Sequence, residues 1–295
     1  MAYGTPATLD DVGPYFTHIR RGRTPSDEAI AHLRHRYELV GGATPLRQLT
    51  EDVRDGLQAS LRADGDARRV YVGMKHWHPF IAETVREMAA DGVREVTALV
   101  LAPHYSRMSI GGYRTYLDDA LAELEAPMTV RFVERWGMAP SFIALMTRLV
   151  WEGLARFPEA ERADATVVFT AHSLPERIRE WHDPYEAELR ESAAAVAASA
   201  GLARWRQAWQ SAGNTGEPWI GPDILDFLGT LHTEGVRNVL QVPIGFVSDH
   251  LEVLYDIDVE AKAKASDLGM RLERTRLPNA DPEFIAVLRS VLAAS

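Results

Sequence analysis

The chain has 295 residues, 46% of them hydrophobic, no cysteine and a formal net charge of -10. That length allows one large or two ordinary domains with sizeable cores, and the lack of thiols excludes a disulfide framework, a thiolate zinc site and a cysteine-held iron–sulfur cluster. The acidic balance argues against a general nucleic-acid binder, no run approaches the roughly 18 apolar residues of a membrane span, and the N-terminus lacks a signal-peptide pattern.

Met1-Ala-Tyr-Gly-Thr-Pro6 reads as the turn after a strand whose own residues are absent. Either the chain starts late or this start is internal, and the sheet is expected to show an exposed edge or an unfilled position. His18-Ile-Arg20-Arg21-Gly-Arg23 is a basic cluster in an acidic chain, either solvated or the partner of an anionic ligand. Ser26 before Asp27-Glu28 predicts a helix N-cap, and Thr44-Pro45 predicts a hydroxyl cap followed by proline at the first helical position. The Gly41-Gly42-Ala-Thr44 loop offers backbone N–H groups and a hydroxyl to an anion, or is a plain capped turn.

From Val70 onward apolar β-rich runs alternate with helical patterns. Strands are expected at 70–74, 96–102 and 129–133, with helices after Pro79 and near 113–125 and 141–157. The rhythm repeats with strands at 166–170, 206–210, 238–242 and 271–277, separated by helices near 184–200 and 224–234. This is the βαβ alternation of parallel sheets. It predicts an α/β protein of two similar lobes, residues 1–152 (first strand missing) and 153–278, with a helix in 279–295 returning to the first lobe.

Three of these strands end in histidine, His76, His104 and His172, and a fourth is followed by His250 and Glu252. In parallel sheets such residues emerge at the edge where α/β enzymes keep their sites. Glu252, Asp256 and Glu260 recur every four residues, which stacks three carboxylates on one face of an ideal helix. Such a row fits a bound cation or a solvated acidic face. Imidazole and carboxylate suit a borderline metal such as Fe(II), and either also takes a proton near neutral pH. Trp77, Met108, Trp219 and Tyr255 line an apolar slot or belong to the core.

Phe169-Thr-Ala-His-Ser-Leu-Pro175, the stretch from Trp209 to Asp223, and Pro243-Ile-Gly-Phe-Val-Ser-Asp-His-Leu-Glu252 with its continuation to Asp258 together resemble the ferrochelatase family. The opening Met-Ala-Tyr-Gly-Thr-Pro and Ile19-Arg-Arg-Gly-Arg23 resemble its coproporphyrin III branch from Gram-positive bacteria. The resemblance implies a chelatase-like fold of two Rossmann-like lobes, parallel β-sheets flanked by helices, with the active-site cleft between them. It implies insertion of Fe(II) into coproporphyrin III to give coproheme, in heme biosynthesis.

By the same resemblance His172 and Glu252 are the catalytic pair and metal ligands, His172 taking protons and Glu252 delivering metal. Tyr3 is the axial ligand to product iron, and Asp256 and Glu260 are an accessory track or Mg site. Tyr3, Arg20, Arg21, Arg36, Thr44 and Tyr113 meet the porphyrin and its propionates. The family helix carrying the acids contains a π-type segment, so the stacking argument is approximate. No cofactor beyond substrate Fe(II) is expected, and no [2Fe–2S] cluster. The implied protein is a cytoplasmic monomer without membrane insertion or nucleic-acid partner, in transient contact with a downstream coproheme decarboxylase. The alternatives are a protoporphyrin IX ferrochelatase, a cobaltochelatase acting on a sirohydrochlorin-type substrate, and a non-catalytic porphyrin- or metal-binding protein.

Overall fold

The computed structural model describes residues 1–124, 127–213 and 215–294. Glu125, at the end of an expected helix, Asn214 of the second motif and Ser295 lie outside them. In chain order the elements are α1 (Val12–Ile19), α2 (Asp27–Leu39), α3 (Leu46–Ala63), α4 (Ile81–Ala90), β1 (Glu95–Leu99), α5 (Ile110–Ala122) and β2 (Thr129–Val133). Then follow α6 (Pro140–Leu154), α7 (Glu159–Arg162), β3 (Thr166–His172), α8 (Tyr185–Ala200), β4 (Trp205–Gln210), α9 (Ile224–Thr233) and β5 (Asn238–Val242). α10 (Leu251–Leu254), a π-helical segment Asp256–Ala261, α11 (Lys262–Asp267), β6 (Arg271–Arg274) and α12 (Pro282–Ala294) complete the chain.

Contacts divide the chain into two units. The first holds Met1–Arg135, Ser248–Leu251 and the chain from Asn279 onward; the second holds Trp136–Val247 and Glu252–Pro278. The sequence rhythm set the boundary at 152, whereas α6 packs with the second unit. Its buried face of Phe142, Leu145, Met146, Leu149 and Val150 lies on α8 and β5. Gly153 makes that approach possible, since a Cβ there would stand 2.7 Å from Leu240. α12 lies on α3 through buried Phe284, Ile285 and Leu288.

In the second unit the sheet is wholly parallel, in the order β4-β3-β5-β6. β3 is buried along its whole length except at its last residue, His172. A continuous buried run of this kind is what a parallel strand covered on both faces requires. The core beneath it gathers Val168, Leu228, Val239, Val253 and Ile257. Beyond β5, Gly245 presses on β3, where an added Cβ would meet the Ala171 Cβ at 2.7 Å. Gly245→Ala is therefore expected to cost about 1–3 kcal/mol in chemical denaturation by overpacking, and to shift the chain beside His172.

In the first unit β1 and β2 pair in parallel, and α4 and α5 cover them through Val85, Met88, Ile110 and Leu117. Residues Met1–Tyr3 enter this sheet as a third extended segment. The Met1 amine donates to Leu99 O at 2.6 Å, Leu101 N donates to Met1 O at 2.9 Å, and Ala2 N donates to Gly73 O at 3.1 Å. The strand expected at 70–74 forms no ladder; only Met74 bridges, to Ala2 and Phe80. An extended run becomes a strand only where a neighbour supplies the complementary backbone groups, and Ala2 is the first residue to do so.

Helix starts follow their chemistry unevenly. Ser26 caps α2 by accepting from Ala29 N at 3.2 Å, and Asp27 and Glu28 favour its N-terminal dipole. Thr44 does not cap α3, whose N-cap is Pro45. Its hydroxyl is drawn instead to the buried Thr5 hydroxyl, 2.9 Å away. α1 closes on Arg21 and Gly22, both left-handed at φ 55° and 81°, and Gly22 N donates to Thr17 O at 2.9 Å. This closure turns Arg20, Arg21 and Arg23 into solvent.

Candidate active site

β3 delivers His172 to the C-terminal edge of the second sheet, and the segment after β5 brings Glu252 beside it. His172 Nε2 and Glu252 Oε1 are 3.4 Å apart, with 28% and 33% of the two side chains exposed. The opposite ring nitrogen, Nδ1, donates to the Ser173 carbonyl, which fixes the ring so that Nε2 faces the carboxylate. Burial opposes a charge on this imidazole, but Glu252, the Ser173 carbonyl and Asp256 outweigh it and raise its pKa to about 9. At neutral pH the site is thus an imidazolium–carboxylate pair open to solvent on one side. The Trp219 ring lies 6.2 Å from that of His172, and Tyr185 donates to the His172 carbonyl at 3.0 Å.

Glu252 is held through its main chain. The Gln210 amide, fully buried at the end of β4, donates to Glu252 O at 2.9 Å. Gln210 Oε1 accepts from Thr170 of β3 at 2.9 Å and from Gln241 of β5 at 3.3 Å, and Gln241 also donates to the Thr170 hydroxyl at 3.1 Å. Three strands therefore converge on one carbonyl. Sequence reasoning quoted Gln210 and Ser211 only as letters of a motif; a buried glutamine carries no sequence signal of its partners. Ser211, left-handed at φ 61°, donates its hydroxyl to Asp256.

The acidic row runs from α10 into the π-helical segment. After Leu254 the backbone widens, with Glu260 N bonding to Tyr255 O at 3.0 Å, and this i→i+5 register rotates the later residues away from α-helical positions. Asp256 is buried against Ser211. Asp258 is taken by Arg274 at 2.8 Å and Lys262 at 2.7 Å. Glu260 is half-buried farther along the segment. Among the described residues no three His, Asp or Glu side chains assemble as a ligand set.

The first unit gathers different groups. Tyr3 is 41% exposed and packs its ring 4.6 Å from that of His76. His76 Nδ1 meets His18 Nδ1 at 3.1 Å, a pairing that the sequence did not suggest because His18 sits inside the basic cluster. Burial, then Lys75 and His18, lower the His76 pKa to about 3, so this imidazole stays neutral. Lys75 is itself buried and lowered to about 8, its ammonium 5.0 Å over the Tyr113 ring. Tyr113 belongs to the core at 4% exposure, and Thr44 is buried with Thr5 and Tyr37. Arg36 is half-buried on α2, while Arg20 and Arg21 are exposed.

The convergence expected of the strand-end histidines is not seen within the first unit. His104 is 3% exposed, held neutral by burial with its pKa lowered to about 3. His250 donates from Nδ1 to Ser248 O at 2.9 Å. His172 is directly partnered with Glu252 of the acidic row.

Comparison with solved structures gives the fold. The chain resembles SirB from Bacillus subtilis with Fe3+, at a TM-score of 0.56 and 10% identity over 83% of this chain and 90% of that one. The sirohydrochlorin chelatase SirB from Bacillus subtilis subspecies spizizenii in complex with cobalt matches at a TM-score of 0.54 and 10% identity, over 83% and 88% of the two chains. In sequence, the chain is 49% identical over 293 residues to a ferrochelatase of Herpetosiphon aurantiacus, covering 99% of this chain and 96% of that protein. It is 43% identical over 295 residues to the coproporphyrin III ferrochelatase of Bacillus subtilis, covering 99% and 95%. The family model described as Ferrochelatase matches residues 1–295, and the chain belongs to the ferrochelatase family.

Proposed function

We propose that this metal chelatase inserts Fe(II) into coproporphyrin III. Insertion exchanges two pyrrole N–H protons for one divalent cation, so the site must handle a metal and protons together. The observation that carries the reading is the His172–Glu252 pair at the exposed end of β3. A cation arriving at the Glu252 carboxylate competes with the imidazolium for it; His172 then loses its proton to solvent, and the free imidazole takes the two pyrrole protons one after the other, passing each to solvent on the pair's exposed side. Such strongly coupled groups titrate as a unit. Asp256 and Glu260 remain proposed as an accessory divalent-cation track, and Tyr3 as the axial ligand to product iron.

Two observations favour coproporphyrin, which carries four carboxylates. Relatives at 41–43% identity over 99% of this chain bear the name coproporphyrin III ferrochelatase. Arg20, Arg21 and Arg23 stand in solvent, and among the described residues no carboxylate pairs with them. Guanidinium forks suit carboxylates. Side-by-side anaerobic assays should therefore show faster Fe(II) insertion into coproporphyrin III than into protoporphyrin IX. Arg20→Ala combined with Arg21→Ala should raise KM for coproporphyrin at least tenfold, the worth of about one charge-assisted hydrogen bond, with kcat little changed. Faster turnover of protoporphyrin would overturn the assignment.

Among the described residues no helix is long and apolar enough to cross a membrane. On the proposed reading the enzyme works as a cytoplasmic monomer and passes coproheme to a decarboxylase.

A further inference from the structure

Ser211 is the first residue after β4, and its backbone is left-handed at φ 61°. In that region a Cβ crowds the backbone, so glycine would suit the turn better than serine. Strain of this kind persists where the side chain supplies something glycine lacks. Here it supplies a hydroxyl, which donates to the Asp256 carboxylate 45 positions along the chain.

Asp256 is 6% exposed and opens the π-helical segment. It stands where the winding changes. Tyr255 O accepts from Val259 N at 3.1 Å and from Glu260 N at 3.0 Å, so one carbonyl serves both the α-helical and the wider register. One turn earlier, the Gln210 amide donates to Glu252 O at 2.9 Å. Two consecutive residues at the end of β4 thus hold the turn 252–256 at both ends, Gln210 by a carbonyl and Ser211 by a carboxylate. Glu252, at the start of that turn, faces His172 at 3.4 Å. A carboxylate out of water stays ionised only with donors to meet it, and the Asp256 charge also acts on His172.

We propose that Ser211 is a positioning residue for metal insertion: its hydroxyl fastens Asp256, and with it the point where the helix widens, so that the Glu252 carboxylate stays aimed at His172. Without the hydroxyl, β4 keeps its hold on Glu252 O but loses its hold on the carboxylate one turn later. This role rests on the chelatase reading of the His172–Glu252 pair, and Ser211 acts in it through Asp256.

The test compares the full chain with Ser211→Gly, Ser211→Ala, Asp256→Ala and the double variant Ser211→Gly with Asp256→Ala. Ser211→Gly frees the backbone and removes the hydroxyl, whereas Ser211→Ala keeps the Cβ; should the alanine variant fail to fold, the glycine variant decides. Both should lower kcat for Fe(II) insertion about tenfold, with KM for the porphyrin within about twofold of the parent. The double variant should insert Fe(II) within about twofold of the rate of Asp256→Ala, because the two groups act as one. Independently of turnover, amide hydrogen exchange at Val259 and Glu260 should quicken about tenfold in Ser211→Gly, while Phe169 in β3 keeps its protection. A near-parental rate for Ser211→Gly would overturn the role, as would effects that multiply in the double variant or unchanged exchange at Val259 and Glu260. A parent chain that inserts no Fe(II) would overturn the chelatase reading instead, and the exchange measurement would still decide whether Ser211 holds the turn.

Discussion

His172→Ala is expected to lower single-turnover insertion of Fe(II) by about 10²–10⁴-fold, the usual worth of a positioned proton-transfer group. Porphyrin affinity, read by fluorescence titration, should change little, because the imidazole contributes one ring to a site with other apolar contacts such as Trp219. A near wild-type rate would remove His172 from the mechanism. The same variant has a stability signature of definite sign. The folded pKa of His172 is about 9, above the ordinary value of 6.5, because Glu252 outweighs burial. The stabilisation from this pair is complete below about 6.5, and it is lost as pH rises through about 9. The Tm gap between the parent and His172→Ala should accordingly be widest near pH 6 and narrow by pH 10.

Glu252→Gln is expected to be as damaging to insertion, about 10²-fold or more, and for a separable reason. The change keeps the shape and the main-chain bond from Gln210 but removes the negative charge. Burial then opposes only the Ser173 carbonyl and Asp256, so the His172 pKa should fall clearly below its value of about 9. Imidazole proton NMR against pH would report this directly. Fe(II) or Zn(II) binding without porphyrin should weaken in parallel. If the His172 titration stays near 9 in this variant, the electrostatic pairing is wrong even where activity is lost.

Much of the architecture was readable because hydrophobic runs encode it. The run Thr166–Thr170 marked β3, and the capping residues marked Ser26 before α2. The juxtaposition of His172 with Glu252 came from the resemblance of long motifs; four-residue spacing in the acidic row, taken alone, carried no sign of the π-helical segment. Winding by one extra residue per turn leaves no compositional trace. Thr44 shows a related limit: its hydroxyl had a local cap available and chose a buried partner 39 positions away. Tyr113 and His104 could not be told from surface site residues, since burial depends on neighbours brought in by the tertiary fold. The unpaired stretch at 70–74 looked like a strand for the same reason, its apolar alternation being independent of whether a neighbour exists.

The amide relay beneath Glu252 ties three positions into one energetic unit. Thr170, Gln210 and Gln241 are all buried, and each bonds to both of the others. Replacing one by an apolar residue strands the polar atoms of its neighbours, at about 1–3 kcal/mol, while replacing all three together with matched volume costs less than the sum of the parts. Substitution at these sites should thus be epistatic, with single changes selected against and compensated sets tolerated by the sheet. The fold can survive such a set, but Glu252 O would then lose its donor. Stability and the aim of the carboxylate are in this way separable traits, which lets the sheet drift in sequence only along paths that keep a donor at position 210.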